Sequence, residues 1–162
     1  PVFQILRLQA ALKVTAETFE AAWADFRRLH PENPAPFFML RGTSDLPAVK
    51  ADLARIDLLD QFVGGDPFLF VLKANLLIEA GELRAAIKMA RKCVEADGSY
   101  AAPHFVLLSC HRDLEQFAEA LREYDVLEKE FGRRMKNPED IPEMAELVKS
   151  PAYAAWKKAR EK

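Results

Sequence analysis

The sequence predicts an all-helical protein of about five antiparallel helix hairpins. Three observations support this fold class. Proline and glycine divide the chain into segments of helix length, apolar residues recur at spacings of three and four within them, and only six glycines are present. This spacing places apolar side chains on one face of a helix. Sandwiches and barrels of β-strands need more glycine for their turns, so the composition disfavours them.

The helix boundaries follow from capping residues and chain breakers. Asp66-Pro67 and Ser150-Pro151 each combine a side-chain acceptor at the N-cap with a proline in the first turn, where its missing N–H has no cost. Glycines stand where helices are expected to end: Gly64, Gly65, Gly98 and Gly132. We predict helices near residues 2–13, 16–29, 35–41, 46–62, 67–80, 83–97, 101–113, 116–131, 141–149 and 151–160.

Two of these segments show contrasting apolar patterns. Segment 83–97 places its apolar residues on one stripe: Leu83, Ala86, Ile87, Ala90 and Val94. Its polar face is charged and is interpreted as a solvated surface: Arg84, Lys88, Arg91, Lys92 and Glu95. Segment 67–80 is apolar around most of its circumference, so neighbouring helices must cover it on several sides. This pattern predicts the inner helix of a hairpin.

Composition bears on the classes of partner that the chain can have. A formal net charge of −2 does not steer the whole chain toward nucleic acid or anionic lipid. No apolar stretch approaches the roughly 20 residues that span a membrane. Cys93 and Cys110 fall in helical apolar patterns and are interpreted as buried thiols. The chain starts at Pro1 without an initiator Met, which we interpret as a piece of a longer protein or a processed one. Cytoplasm and periplasm both remain open as its compartment.

Residues 66–133 contain an internal repeat with a period of 34 residues. Shifting 66–99 onto 100–133 aligns Ala86 with Ala120 and Gly98 with Gly132. At other positions the residue classes agree: Val71 with Phe105, Asn75 with Ser109, Glu79 with Asp113, Leu83 with Phe117 and Ile87 with Leu121. A helix–turn–helix unit of this length has the period of the tetratricopeptide repeat.

The repeat also resembles the tetratricopeptide family in its residues. Ala120-x-x-x-Tyr124 is similar to the A-x-x-x-F element of the family's second helix, and the first unit supplies further matching residues: Phe70, Ala74, Leu77, Gly81, Leu83 and Ala86. Departures occur at Lys73, Leu108, Glu115 and Ala90, where the family prefers Leu, Gly, Gly and an aromatic residue. The resemblance implies a right-handed α–α superhelix in one domain, 1–162, with irregular hairpins over 1–65, the best repeat match over 66–133 and capping helices over 138–162.

The resemblance further implies a binding surface on the concave wall formed by the first helices. Transferring the family's groove positions gives ten residues: Phe68, Val71, Asn75, Ile78, Glu79, Ala102, Phe105, Ser109, Arg112 and Asp113. The implied function is a protein–protein interaction or scaffolding module of a larger protein, binding a peptide or partner protein. The alternative is a structural domain that self-associates or packs on another domain of its own chain. Asn75 matches one position of a chaperone-tail clamp, but Val71 replaces its lysine, which argues against that ligand.

No catalytic, metal or cofactor site is predicted, and the expected protein is not an enzyme. The sequence lacks a P-loop, a nucleophile elbow and a CxxC motif. His104 and His111 would lie about 10 Å apart along a helix, too far to hold one tetrahedral ion by themselves. The acidic residues of 139–146 fit a helix start. Two interpretations of Phe37-Phe38-Met39 remain: burial by neighbouring hairpins, or an exposed anchor patch.

Overall fold

The computed structural model describes residues 49–50, 52–54, 56–57, 60 and 65–161. These residues form an all-helical structure, as the apolar periodicity predicts. The α-helices from residue 65 onward are α1 (Pro67–Glu79), α2 (Leu83–Ala96), α3 (Ala102–Asp113), α4 (Phe117–Lys129), α5 (Ala145–Val148) and α6 (Pro151–Arg160). Two 3₁₀ helices, Pro138–Asp140 and Pro142–Met144, precede α5.

Five of the predicted helices are confirmed to within two residues at each end: α1 to α4 and α6. Their predicted caps are also present. The Asp66 side chain accepts a hydrogen bond from the N–H of Phe68 at 2.8 Å, and Ser150 Oγ accepts one from the N–H of Tyr153 at 3.2 Å. The described residues between 49 and 60 are helical, in agreement with the predicted helix near 46–62. The helices predicted near 2–13, 16–29 and 35–41 lie outside the described residues.

The helix predicted near 141–149 is wrong in its first half. The chain there forms the second 3₁₀ helix and only the single turn α5. Ile141 is extended, with φ −112° and ψ 109°, because the ring of Pro142 disfavours a helical conformation in the residue before it. Ser150 and Pro151 then start α6. The space between these two prolines therefore holds two short turns rather than one helix.

The links between α1 and α2 and between α3 and α4 have the same hydrogen bonds, one repeat apart. Gly81 and Glu82 donate from their N–H groups to carbonyls three and five residues back, at 2.9 and 2.8 Å. Glu115 and Gln116 do the same, again at 2.9 and 2.8 Å. This pair of bonds is the Schellman ending of a helix, which requires a left-handed residue. Gly81 adopts φ +77° and Glu115 adopts φ +57°.

Successive helices pack against one another along the chain. α1 packs on α2, α2 on α3 and α3 on α4, while α1 also contacts α3. The main buried cluster joins the first three of these helices: Ala74, Leu77, Ala86, Ile87, Ala90, Val106, Leu107 and Cys110. Ala86 and Ala120, which are one repeat apart, are both fully buried. Ala86 packs in the cluster of the first three helices, whereas Ala120 packs in a cluster with Leu147 and Tyr153 of the C-terminal segment.

The two ends of α1–α4 are covered by different partners. Upstream helical residues pack against α1 in a cluster of Val49, Ile56, Leu69 and Leu76. Downstream, the segment that follows α4 packs Met144, Leu147 and Tyr153 against α4. None of the helices in the described ranges is both long and apolar enough to cross a membrane.

Candidate functional site

A shallow depression of about 320 Å³ lies where α1 and α3 contact each other. It is lined by Val71, Asn75, Ile78, Ala102, Phe105, Val106 and Ser109. Six of these are residues for which the sequence predicts a groove: Val71, Asn75, Ile78, Ala102, Phe105 and Ser109. They converge because each helix presents residues spaced by three and four on one face, and the two helices are one repeat apart.

Phe105 is the exposed feature of this depression. It retains 41% of its accessible surface and is the one large apolar side chain that stands exposed among the described residues. Val71, at the equivalent position one repeat earlier, is only 7% exposed. Val106 is 5% exposed and belongs to the main buried cluster. The depression therefore has a covered aliphatic floor and an aromatic ring that remains open to solvent.

Two polar side chains stand within this apolar surface. Asn75 is exposed and Ser109 is half-buried, and both line the depression. An amide and a hydroxyl can each donate and accept hydrogen bonds. Such groups suit the N–H and C=O groups of an extended peptide, while the apolar walls suit its side chains.

Phe68 lies apart from the depression. It is half-buried and packs against the cluster formed by α1 and the upstream residues. Its position follows from the N-terminal end of α1, where those upstream residues cover the helix. Phe68 is therefore part of the packing between α1 and the chain before it.

Arg112 and Asp113 also do not line the depression. The Nε of Arg112 donates a hydrogen bond to Asp113 Oδ1 at 2.7 Å, at the last turn of α3. Because these two charges neutralise each other, the end of α3 offers a paired charge rather than a free one. Glu79, the equivalent of Asp113, is exposed.

Sequence reasoning from the family's groove positions did not select Val106. It follows Phe105 directly and lines the same depression. The signal was present in the sequence, because Ala102, Val106 and Ser109 follow a spacing of four and three along α3. Ala102 completes this stripe at the N-terminal end of the helix.

The two histidines of α3 are held by different partners. His104 Nδ1 lies 2.7 Å from Glu123 Oε2 of α4, and its ring stacks at a tilt on Phe131 with centroids 5.1 Å apart. His111 is buried and its Nδ1 lies 2.6 Å from the Gln116 side-chain oxygen. Both histidines thus pack within the α3–α4 hairpin. In the described ranges no group of three His, Cys, Asp or Glu residues is close enough to hold a metal ion.

Both cysteines are fully buried free thiols. Burial raises the pKa of Cys93 to about 11, with the nearby carboxylates of Asp97 and Asp66 adding to the shift. Burial likewise raises the pKa of Cys110 to about 11. A thiol with such a pKa is almost entirely protonated at neutral pH, so neither cysteine is an activated nucleophile.

The acidic residues at 139–146 do not form a carboxylate pair of the catalytic kind. Glu139 accepts a hydrogen bond from Lys157 at 2.6 Å, and this bond lowers the pKa of Glu139. Glu146 is paired with Lys149 at 2.7 Å on the surface. Phe37, Phe38 and Met39 lie outside the described residues.

Comparisons with known proteins do not place the chain in a family. No protein-family model matches the sequence, and searches of curated proteins and of solved structures gave no significant match. The fold and the depression define the class at the level of architecture: an all-helical protein with an open apolar depression between two helices one repeat apart. The tetratricopeptide assignment stays a prediction.

Proposed function

We propose that this chain is a protein–protein interaction module that binds a peptide or a segment of a partner protein in the depression between α1 and α3. The observation that carries the proposal is the exposed ring of Phe105 beside an aliphatic floor. Large aromatic residues that stand in a concave, otherwise covered surface are typical binding anchors. No chemical step is part of the proposed activity.

The depression sets the chemistry of its ligand. Val71, Ile78 and Phe105 suit one large apolar side chain of the partner. Asn75 and Ser109 suit the backbone on either side of that side chain. A peptide with an apolar anchor in an extended conformation satisfies both requirements.

The repeated turn supports the finer architecture that this function needs. Two hairpins with the same helix ending, the same buried alanines and a period of 34 residues favour a tetratricopeptide-like arrangement with a right-handed superhelical twist. Such a stack presents its first helices, here α1 and α3, on one concave wall.

A peptide array probed with the purified chain tests this function. Peptides that bind the wild-type chain are expected to bind Phe105→Ala about tenfold to a hundredfold more weakly, because the anchor contact is lost. Asn75→Ala is expected to weaken binding by a smaller factor. Arg122→Ala, an exposed change on α4, serves as the control and leaves binding unchanged. Equal binding to wild type and Phe105→Ala would contradict the proposal.

Sedimentation velocity separates this function from the alternative of self-association. A binding module is expected to keep the same sedimentation coefficient over a wide range of concentrations. A coefficient that rises with concentration in the wild-type chain, and no longer does so in Phe105→Ala, would assign the depression to contacts between copies of the chain.

A further inference from the structure

The exposed face of α2 carries a row of basic side chains. Arg84, Lys88 and Arg91 are all exposed and follow one another at spacings of four and three. With Ile87, Lys92 and Glu95 they line a second depression of about 320 Å³. We call Arg84, Lys88 and Arg91 the basic row. Of the buried residues of α2, Ala86, Ala90 and Cys93 lie on the opposite side of the helix, and Ile87 lies at the edge of the row.

The cations of the basic row have no acidic partner in the part of the chain that the structure describes. Lys92, beside the row, places its ammonium 5.8 Å from the centre of the Phe70 ring. On α4, by contrast, the cations are paired. Arg122 contacts Glu119 at 3.2 Å and Lys129 contacts Asp125 at 2.9 Å. The basic charge of α2 is therefore available to a partner in a way that the charge of α4 is not.

The positive charge of α2 contrasts with the slightly negative net charge of the whole chain. Helix α2 holds four cations and one carboxylate, whereas the whole chain has a formal net charge of −2. A local excess of unpaired positive charge attracts an anionic partner and speeds its association.

We propose that the basic row of α2 binds an acidic helix of a partner protein. Along an α-helix, Arg84 and Lys88 lie about 6 Å apart and Arg84 and Arg91 about 10 Å apart. A partner helix with carboxylates at i, i+4 and i+7 has the same spacing and places one carboxylate opposite each cation. Ile87, at the edge of the row, is buried in the main cluster, so the charges of the row carry the proposed contact. This binding surface is separate from the depression between α1 and α3.

Glu95 distinguishes this partner from other polyanions. It continues the basic row four residues after Arg91 and lines the same depression. A phosphate backbone or an anionic lipid surface would meet repulsion there, whereas a partner helix can carry a basic residue at i+11. In addition, the exposed large apolar side chain of the described residues is Phe105, which lies in the other depression and cannot anchor this face in a membrane. A mixed-charge helix is thus the better complement.

Fluorescence anisotropy with a designed probe tests the proposal. The probe is a labelled alanine-rich helical peptide with glutamates at i, i+4 and i+7 and a lysine at i+11; a second peptide has the same composition in a different register. We expect saturable binding of the first peptide to the chain at low ionic strength, weakening as salt is added. We expect the second peptide to bind roughly tenfold more weakly.

Two triple variants have matched changes in net charge. Arg84→Glu/Lys88→Glu/Arg91→Glu is expected to weaken binding of the matched peptide by roughly tenfold or more. Arg133→Glu/Arg134→Glu/Lys136→Glu changes three exposed cations outside the row and is expected to leave the affinity within about twofold. Circular dichroism checks that both variants remain helical, as we expect for exposed substitutions. Glu95→Lys keeps the basic row intact. It should weaken binding of the matched peptide and strengthen binding of a peptide with glutamate at i+11.

Several results would overturn the proposal. These are no saturable binding of the matched peptide, equal binding of the two peptides, or equal losses in the two triple variants. Tighter binding to phosphatidylserine vesicles or to single-stranded RNA than to the peptide would also overturn it, because Glu95 would then not act as a discriminator. Phe105→Ala is expected to bind the acidic peptide as the wild-type chain does.

Discussion

The hairpins α1–α2 and α3–α4 share a backbone arrangement and differ in the side chains that fill it. Both turns have the same helix-ending hydrogen bonds, and Ala86 and Ala120 are equally buried. The two hairpins differ at a buried position, where Ala90 of the first corresponds to Tyr124 of the second, 34 residues later. Both residues are buried. The turn and the buried alanine are therefore common to the two hairpins. The size of the side chain at the Ala90/Tyr124 position differs, and it determines which further segment packs against the hairpin.

Tyr124 holds the C-terminal segment against α4. Its hydroxyl donates to the backbone carbonyl of Lys136 at 2.8 Å, and its ring meets Trp156 of α6 edge to face, with centroids 5.4 Å apart. The Nε1 of Trp156 in turn donates to Asp125 at 3.1 Å. The methyl group of Ala90 is too short to make an equivalent contact. Helix α2 packs instead between α1 and α3. The second hairpin is thus joined to the chain that follows it by an aromatic contact that the first hairpin lacks.

The largest effect is expected from removing this contact. Tyr124→Ala gives the second hairpin the small residue that the first has at this position, and leaves a cavity beneath Trp156. We expect a loss of about 3–5 kcal/mol in the free energy of unfolding, as for other large aromatic residues in cores. Urea unfolding followed by circular dichroism measures this loss.

Tyr124→Phe separates the ring from the hydroxyl. Only the hydrogen bond to Lys136 is lost, so the expected change is about 1 kcal/mol. If Tyr124→Ala and Tyr124→Phe destabilised the chain equally, the aromatic contact with Trp156 would contribute nothing. The position would then be held by the hydroxyl alone.

The two turn residues give a matched pair of smaller effects with opposite signs. Gly81→Ala places a side chain at φ +77°, where the added Cβ meets no atom within 4 Å, so the cost is conformational and about 1 kcal/mol. Glu115→Gly relieves the same left-handed strain at φ +57°. The greater freedom of glycine in the unfolded chain offsets part of the gain, which leaves a stabilisation of about 0.5 kcal/mol. Thermal and urea unfolding of the two variants measure both changes.

Glu115→Ala is the control for the second change. It removes the exposed carboxylate but keeps a Cβ at the strained position, so we expect almost no change in stability. A gain in Glu115→Ala equal to that in Glu115→Gly would attribute the effect to the lost charge. In that case the left-handed conformation of Glu115 would not cost the free energy that the comparison with Gly81 implies.

Much of the fold follows from the sequence because its signals are local. Asp66 and Ser150 cap helices as their neighbouring prolines indicate. The repeat period aligned Gly81 with Glu115, although only one of them is glycine, and both take the left-handed conformation. The prediction for 141–149 was wrong at its start: Pro142 disfavours a helical conformation at Ile141, and residues 142–144 form a 3₁₀ helix instead of the first α-helical turn.

The candidate site was predictable only in part because it depends on contacts between distant segments. Helix periodicity alone places Val71, Asn75 and Ile78 on one face of α1. It does not indicate that upstream residues pack against Phe68, or that Phe105 stays exposed. The basic row has the same limitation. A charged helical face predicts a solvated surface, and the absence of acidic partners is visible only once the described helices are packed.

An effect of similar size to those of the turn residues is expected from the charge network that distinguishes α4 from α2. Burial acts to raise the pKa of Asp125, but hydrogen bonds from Lys129 and Trp156, together with the charge of Arg160, outweigh it and hold this pKa below its ordinary value. A carboxyl with a lowered pKa in the folded state contributes stability above its unfolded pKa and loses that contribution as pH falls through the folded pKa. Asp125→Asn should therefore destabilise the chain by about 1 kcal/mol or less at neutral pH, and by less still at about pH 3. Urea unfolding of both chains at the two pH values measures the difference.

Glu146→Gln, in an exposed pair, should leave stability unchanged. A difference between wild type and Asp125→Asn that is the same at both pH values would mean that the contacts of Asp125 with α6 act through packing and not through its charge.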